Sequence, residues 1–217
     1  MENEFWKQAW VEGKIGFHQS QYNSTMSNHY DDLQLEDKNV FIPLAGKSLD
    51  ILYFLEKGAN VTAVELSELA CEEFFKENKF DDLQIEKQED FTVYKTGNLT
   101  YYCGDFFTIN PEDVTPIDFY YDRACIVALP YEIRTSFYDK IDTLLSKHTD
   151  IFILTYSHEG PKTFGPPFYV PEEEIQKAYS LMGFDLEYIK YNDTKAQGRF
   201  KDAGLGKMTH IKWKRQI

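Results

Sequence analysis

From Val40 onward, short apolar runs alternate along the chain with amphipathic patterns of helical period. This alternation is typical of βαβ units, in which helices connect the strands of a parallel sheet. The apolar runs predict seven strands, at residues 40–44, 61–65, 99–103, 117–122, 151–156, 184–191 and 207–213. The pattern therefore places the chain in the α/β class.

Apolar residues at helical spacing predict the helices between these strands. One helix spans 48–57 and ends at Gly58, and the next begins at the N-cap residue Ser67. A third lies between the fourth and fifth strands, and a fourth starts after Pro171. The apolar faces of the last three consist of Ala70, Cys71, Phe74 and Phe75, of Ile133, Phe137, Ile141, Leu144 and Leu145, and of Ile175, Ala178, Tyr179 and Met182.

Both ends of the chain depart from this alternation. A helix with Trp6 and Trp10 four residues apart on one face precedes the first strand. The last two strands follow each other without a helix, which favours an antiparallel pair. The polar, glycine-containing segment 192–206 between them is predicted to be a loop, and a mobile lid is one interpretation of it. We expect a mostly parallel sheet with one antiparallel strand.

Charge narrows the range of partners. The 217 residues include 36 acidic and 23 basic ones, for a net charge of −13, which argues against nucleic acid because duplex binding depends on Lys and Arg. No apolar run approaches the roughly 20 residues that span a bilayer, and the first residues lack the basic and apolar regions of a signal peptide. We expect one cytoplasmic domain, residues 1–217, with no membrane partner.

Motifs for metal binding and for serine hydrolysis are missing from the sequence. The cysteines Cys71, Cys103 and Cys125 form no Cys-x-x-Cys pair, and the histidines show no His-Glu-x-x-His spacing. The chain also lacks the Gly-x-Ser-x-Gly motif of serine hydrolases. We expect no metal and no disulfide framework, and we predict that the cysteines are buried, reduced small hydrophobes.

Ligands of an open α/β sheet bind at the carboxyl ends of its strands, so residues that follow the predicted strands are candidates. Residues 43–48 follow the first strand and end like a phosphate-binding P-loop, but Phe41 stands where that motif needs glycine. Gly46 is the only glycine there, which also excludes a dinucleotide-binding Gly-x-Gly-x-x-Gly motif. The segment is either an ordinary βα turn or a turn whose N–H groups bind the carboxylate or amino-acid end of a ligand.

The next three strands end in further candidates. Glu65 ends the second strand, where nucleoside-binding sheets place an acid that accepts hydrogen bonds from ribose hydroxyls; a solvated turn residue or a helix cap is the alternative. Gly104 and Asp105 follow the third strand and are candidates to contact adenine. Asp122 and Arg123 adjoin an apolar run, where burial requires that they pair with each other or with a ligand.

Five segments together resemble the thiopurine S-methyltransferase family, whose members use S-adenosyl-L-methionine. In the family's order they read FWKQAWVEGKIGFHQ, VFIPLAGKSLDILYFLEKGANVTAVELSELACEEFF, YYCGDFFTI, YDRACIVALP and GPPFYVPEEEI, and they cover nearly the whole chain. The resemblance implies a Rossmann-like, seven-stranded, mostly parallel sheet with one antiparallel strand, helices on both faces, and an N-terminal helical lid at residues 1–36.

The resemblance and the strand-end candidates together give the expected site residues. Those beside the cofactor are Trp6, Trp10, Leu44, Gly46, Glu65, Gly104, Asp105 and Arg123. Those beside the substrate are Phe17, Arg123, Phe168 and Arg199, and the catalytic residues are Arg123 and Asp122.

The implied reaction is methyl transfer, by a monomer, to the sulfur of an aromatic or heterocyclic thiol, or to a selenol or a related soft nucleophile. A thiolate is already a strong nucleophile, so we expect alignment to matter more than a dedicated base. Arg123 and Arg199 are expected to favour the anionic acceptor. The sulfonium of the cofactor suits the aromatic faces of Trp6, Trp10 and Phe17 by cation–π attraction.

The acceptor is the open part of this interpretation. Segment 81–98 and the loop 192–206 fit the family loosely, and Ala45 stands where the family usually has Cys. Halide, bisulfide or small thiols are alternative acceptors. A nicotinamide oxidoreductase and a non-catalytic S-adenosylmethionine-binding module are alternatives of other classes, and a role in detoxification is a hypothesis.

Overall fold

The computed structural model describes residues 3–30, 34–114, 116–161 and 164–216. The chain forms two compact units, Met1–Phe119 and Tyr120–Ile217. Helices alternate with the strands of a sheet in both units, so the predicted α/β class is confirmed.

The described part of the first unit contains five helices and five strands. The helices are α1 (Asn3–Val11), α2 (Ser24–Tyr30), α3 (Asp50–Glu56), α4 (Glu68–Asn78) and α5 (Pro111–Val114). The strands are β1 (Asn39–Ile42), β2 (Asn60–Glu65), β3 (Gln84–Lys87), β4 (Phe91–Thr96) and β5 (Leu99–Gly104). A 3-10 turn at Phe106–Thr108 follows β5.

The strand order within the first unit is β3-β4-β5-β2-β1. β2 pairs in parallel with β1 on one side and with β5 on the other, where Glu65 lies opposite Cys103. β4 is antiparallel to both β3 and β5. The parallel pairs bring the carboxyl ends of β1, β2 and β5 to one edge of the sheet, which is the edge expected to bind ligands. Large side chains that are fully buried in this unit include Phe41, Phe54, Phe74, Tyr101 and Phe106.

Local signals in the sequence explain where α3 and α4 lie. The Ser67 hydroxyl accepts a hydrogen bond from the Ala70 amide at 3.3 Å, which confirms Ser67 as the N-cap of α4. α3 ends before Gly58, whose φ of +80° is the left-handed conformation that glycine adopts at low cost. Both helices therefore lie close to their predicted positions.

The sequence analysis did not predict α2. Asn23 caps its N-terminus, and the apolar pattern gives no sign of this cap. The side-chain oxygen of Asn23 accepts hydrogen bonds from the amides of Thr25 and Met26, at 3.0 and 3.2 Å. Met26 is fully buried. The Asn23 amide in turn donates to the Asp50 carboxylate at 2.7 Å, which fixes α2 to the start of α3.

The second unit contains four helices and most of four strands in its described part. The strands are β6 (Phe119–Arg123), β7 (Asp150–His158), β8 (Leu186–Lys195) and β9 (Lys207–Arg215). The helices are α6 (Cys125–Ala128), α7 (Tyr131–Leu144), α8 (Glu172–Leu181) and α9 (Gly198–Asp202). The strand order is β6-β7-β9-β8, and β9 is antiparallel to both β7 and β8. The antiparallel pairing of the last two strands is thereby confirmed.

The predicted strand count is wrong, because the described residues form nine strands rather than seven. Each unit also has an antiparallel strand, β4 in the first and β9 in the second, where only one was expected. β3 consists of four exposed residues and has no apolar pattern, so its pairing with β4 creates it. β8 extends to Lys195 and α9 follows it, within the segment 192–206 that was predicted to be a loop.

The described residues include no helix that combines the length and the hydropathy needed to cross a bilayer. Within the same residues, no cluster of three or more His, Cys, Asp or Glu side chains has a metal-binding arrangement. Cys71, Cys103 and Cys125 are buried, as predicted, and none of the three is in a disulfide in the structure.

Candidate cofactor and substrate sites

The turn after β1 reverses sharply through two residues in the left-handed region, Leu44 with a φ of +45° and Gly46 with a φ of +55°. Between them, the Ala45 amide donates to the carbonyl of Val64 in β2 at 2.9 Å. The turn is therefore attached to the neighbouring strand, and it directs the following N–H group toward the end of that strand.

Glu65, at the end of β2, receives that N–H group. Its Oε2 accepts from the Gly46 amide and its Oε1 from the Ser67 amide, both at 2.8 Å, and the residue is buried. Burial raises the pKa of the Glu65 carboxyl, while hydrogen bonds from backbone amides oppose the rise. A carboxylate offers about four acceptor positions, so Glu65 retains capacity for hydroxyl groups of a ligand.

Trp10 covers this turn. A Cβ atom added to Gly46 would lie 3.1 Å from Cζ2 of Trp10, so the indole ring rests directly on the glycine. Phe17 contacts both Trp10 and Trp6 edge-to-face, with ring centroids 5.6 and 5.7 Å apart. Trp10 is buried, Trp6 is half-buried and Phe17 is exposed. The three rings form an aromatic wall next to Gly46.

Lys47 is tied to α4 by two acidic residues. Its ammonium group lies 2.8 Å from the carboxylate of Glu73 and 2.7 Å from that of Glu77. Burial by itself would lower the pKa of Lys47, but hydrogen bonds to the two carboxylates outweigh it and raise the pKa. This lysine therefore fixes the turn to a helix, in agreement with the missing P-loop motif.

Gly104 and Asp105, at the end of β5, both have local structural roles. A Cβ atom on Gly104 would lie 2.4 Å from Cδ1 of Phe91 and 2.5 Å from the carbonyl oxygen of Asp90, so only glycine fits. The Asp105 carboxylate accepts from the Phe107 amide at 3.0 Å and caps the 3-10 turn. The predicted adenine contacts of Gly104 and Asp105 stay a prediction.

In the second unit, β6 ends in Asp122 and Arg123. Asp122 is fully buried, with one carboxylate oxygen accepting from the Cys125 amide at 2.7 Å and the other 3.3 Å from the Tyr120 hydroxyl. Burial raises the pKa of Asp122 to about 6. Asp122 thus caps the turn into α6, and Arg123, which is half-buried, lies beside it in sequence at the strand end.

Phe168 and Arg199 come together with the segment around Pro166. The Phe168 amide donates to the carbonyl of Val127 in α6 at 2.6 Å. The Arg199 guanidinium donates to the carbonyl of Pro166 and lies 5.6 and 5.3 Å from the ring centroids of Phe164 and Phe200. Burial lowers the pKa of Arg199 below its usual value. Two of the predicted substrate residues, Phe168 and Arg199, therefore meet in one loop system of the second unit, formed by residues 164–168 and 198–202.

His158 belongs to the same loop system, although the sequence singled it out only as one of several histidines without metal-ligand spacing. Its Nδ1 accepts from the Gly160 amide at 3.1 Å, so in the neutral ring Nε2 carries the proton and donates to the carbonyl of Pro167 at 3.2 Å. Phe164 and Phe200 pack around the ring. No sequence motif indicates this arrangement.

Two further residues of the first unit were not predicted to belong to a site. Lys47 was noted only as part of the failed P-loop pattern. Tyr101 in β5 donates its hydroxyl to the carbonyl oxygen of Gly46. An aromatic residue in a buried strand is ordinarily a core residue, so the sequence held no signal for this contact.

A family model described as "Thiopurine S-methyltransferase (TPMT)" matches residues 1–216 of the chain. A thiopurine S-methyltransferase of Pseudomonas putida is 34% identical over 210 residues, 96% of each chain. Another, of Marinobacter nauticus, is 35% identical over 188 residues, 86% of this chain and 84% of the relative.

Solved structures show the same fold at low identity. A 1,6-didemethyltoxoflavin-N1-methyltransferase of Burkholderia thailandensis, solved with 1,6-didemethyltoxoflavin and S-adenosylhomocysteine, has a TM-score of 0.60 at 14% identity over 99% of this chain and 87% of its own. The magnesium protoporphyrin IX methyltransferase of Synechocystis, with S-adenosylhomocysteine, has a TM-score of 0.60 at 12% identity, covering 99% of this chain and 100% of its own.

Proposed function

Because this chain belongs to the thiopurine S-methyltransferase family, we propose that it methylates the sulfur of an aromatic or heterocyclic thiol. Its activity as an S-adenosylmethionine-dependent S-methyltransferase follows from that membership, and the acceptor is the proposed part. The structural observation that supports methyl transfer by this chain is the Glu65 carboxylate, a candidate to bind the cofactor, which is buried at the end of β2 and bonded to a turn that Trp10 covers.

The residues of the first unit fit the cofactor. Glu65 has acceptor positions left for the ribose hydroxyls, and Gly104 and Asp105 are assigned to the adenine. Trp6, Trp10 and Phe17 present aromatic faces and edges that suit a cation and exclude water. Leu44 and Gly46 line the turn beside them. S-adenosylmethionine, when bound, supplies a methyl group that its sulfonium makes electrophilic.

The residues of the second unit are assigned to the acceptor. Arg123 and Arg199 stay cationic and favour a thiolate over a thiol, because a nearby positive charge lowers the pKa of an acid. Phe168 is assigned to packing on the aromatic ring of the acceptor. Asp122 is assigned a positioning role, because its carboxylate is engaged by the Cys125 amide and holds the turn that follows Arg123.

A direct comparison of acceptors tests the proposal. The purified protein is incubated with S-adenosylmethionine and, in separate reactions, with a heterocyclic thiol, an aliphatic small thiol and iodide. We expect the heterocyclic thiol to give the highest kcat/KM. A preference for iodide would assign the chain to halide methylation. Tight binding of S-adenosylhomocysteine without turnover of any acceptor would leave a binding module.

The remaining parts of the proposal concern the state of the enzyme. We assign it to the cytoplasm as a monomeric single-domain enzyme, with residues 1–36 as a lid. The net charge of −13 supports a small-molecule substrate rather than nucleic acid. Size-exclusion chromatography with light scattering tests the monomer.

A further inference from the structure

Three contacts hold Gly46 in place, and two of them belong to the proposed cofactor site. Its N–H group donates to Glu65 at 2.8 Å, and the Trp10 ring covers its Cα. The third contact comes from beneath the turn, where its carbonyl oxygen accepts from the hydroxyl of Tyr101. Tyr101 is fully buried in β5 and is not among the residues that the family resemblance assigns to the cofactor.

The Tyr101 side chain is a rigid and permanent donor. Its ring stacks on Phe74 with centroids 5.5 Å apart and meets Phe75 edge-on at 5.6 Å. Burial raises the pKa of Tyr101 well above its usual value, so the hydroxyl keeps its proton at any working pH.

A glycine needs such a restraint more than any other residue. Without a Cβ atom, Gly46 has access to both signs of φ, and its own geometry does not favour the +55° that it adopts. The Glu65 bond restrains the peptide before Gly46, and the Tyr101 bond restrains the peptide after it. With both bonds in place, the N–H group of Gly46 points at the Glu65 carboxylate.

We propose that Tyr101 is a positioning residue of the cofactor site, which acts through Gly46 to hold the turn against Glu65 and under Trp10. This inference rests on the proposed binding of S-adenosylmethionine at Glu65. It requires that the Tyr101 hydroxyl contribute to cofactor affinity without touching the cofactor. It also requires that loss of the Tyr101 hydroxyl leave binding of the methyl acceptor unchanged.

The neighbouring tyrosine provides a matched control. Tyr102 points to the opposite face of β5, and its hydroxyl donates to the carbonyl of Asp113 at 3.3 Å. Tyr101→Phe and Tyr102→Phe each remove one buried or half-buried hydroxyl and keep the ring, so both variants are expected to fold. Circular dichroism and thermal unfolding confirm this before binding is measured.

Calorimetric titration with S-adenosylhomocysteine and steady-state kinetics form the test. For Tyr101→Phe we expect Kd to rise about fivefold or more, as for the loss of one buried hydrogen bond, and the KM for S-adenosylmethionine to rise with it. The kcat at saturating cofactor and the KM for the acceptor should not change. Tyr102→Phe should match the wild type in all four quantities.

The possible results distinguish the role of Tyr101 from the proposed binding of the cofactor. Unchanged affinity in Tyr101→Phe, or an equal loss in both variants, would overturn the assignment of Tyr101 and leave the proposed function intact. A wild-type protein that does not bind S-adenosylhomocysteine would overturn the proposed function and the assignment together.

Discussion

The amide of Gly46 donates a 2.8 Å hydrogen bond to the carboxylate of Glu65, 19 positions away in the sequence. The bond joins the turn after β1 to the end of β2, the two places where an α/β sheet most often holds a ligand. The bond fixes the position of the turn relative to the strand end, and a fixed arrangement of this kind lowers the cost of ordering the site on binding.

Replacement of Glu65 by alanine tests its role in binding the ribose. Glu65→Ala should raise the Kd for S-adenosylhomocysteine ten- to a hundredfold, about 1.4–2.8 kcal/mol, because the bonds to the ribose hydroxyls are lost. Glu68→Ala is the control, since Glu68 is an exposed acid in the first turn of α4. Titration calorimetry that finds equal affinities for the wild type and Glu65→Ala would refute the ribose assignment.

Alanine substitutions at two glycines with similar φ values distinguish the effect of backbone strain from the effect of contact with Trp10. Gly46 and Gly97 have φ values of +55° and +49°, but a Cβ atom on Gly97 would meet nothing within 4 Å. Both alanine variants should lose about 1–2 kcal/mol of unfolding free energy, because a side chain disfavours the left-handed region. Only Gly46→Ala should also weaken S-adenosylhomocysteine binding, since the new methyl group displaces the Trp10 ring. Equal affinities in the two variants would contradict a role for Trp10 in the site.

Replacement of Arg123 tests electrostatic activation of the acceptor. Arg123→Ala should lower kcat/KM for methyl transfer tenfold or more, roughly 1.4 kcal/mol, and Arg123→Lys should recover part of it because the charge remains. The alanine variant should also need a higher pH for full activity, since the acceptor thiol loses the charge that lowers its pKa. An unchanged kcat/KM across pH would remove Arg123 from the mechanism.

The elements with strong local signals could be predicted from the sequence. Ser67 is the predicted N-cap and Glu65 lies at the predicted strand end, because an N-cap and an apolar run are properties of neighbouring residues. β3 was missed because its four residues are exposed, and only pairing with β4 makes them a strand. An apolar pattern cannot predict a strand such as β3, whose residues are all exposed.

The sequence named candidate site residues but not the contacts between them. The resemblance to the family drew attention to Gly46 and Trp10, yet the contact between them depends on where α1 packs. The bond from Tyr101 to Gly46 spans 55 positions and joins a core aromatic residue to a backbone carbonyl. Neither a tyrosine in a buried strand nor a glycine in a turn indicates such a contact by its residue type alone.

Asp122 makes the stability of the protein depend on pH. Its pKa is raised by burial from 3.8 to about 6, whereas in the unfolded chain the carboxyl titrates near its ordinary value. Between those two pH values the folded state holds a proton that the unfolded state has released, so this group's contribution to the unfolding free energy falls as pH rises. A displacement of about two pKa units corresponds to roughly 3 kcal/mol over the whole interval.

Comparison with Asp122→Asn isolates this contribution. The amide oxygen of asparagine still accepts from the Cys125 amide, but the side chain does not titrate. Tyr120 and Cys125, which face the carboxyl, both have pKa values raised well above their usual ones, so neither titrates in the same interval. Urea unfolding at a series of pH values from about 4 to 7 should show the wild type losing up to about 3 kcal/mol relative to the variant. If the difference between the two proteins stays constant over that series, Asp122 titrates in the folded protein as it does in the unfolded chain, and burial does not control its charge.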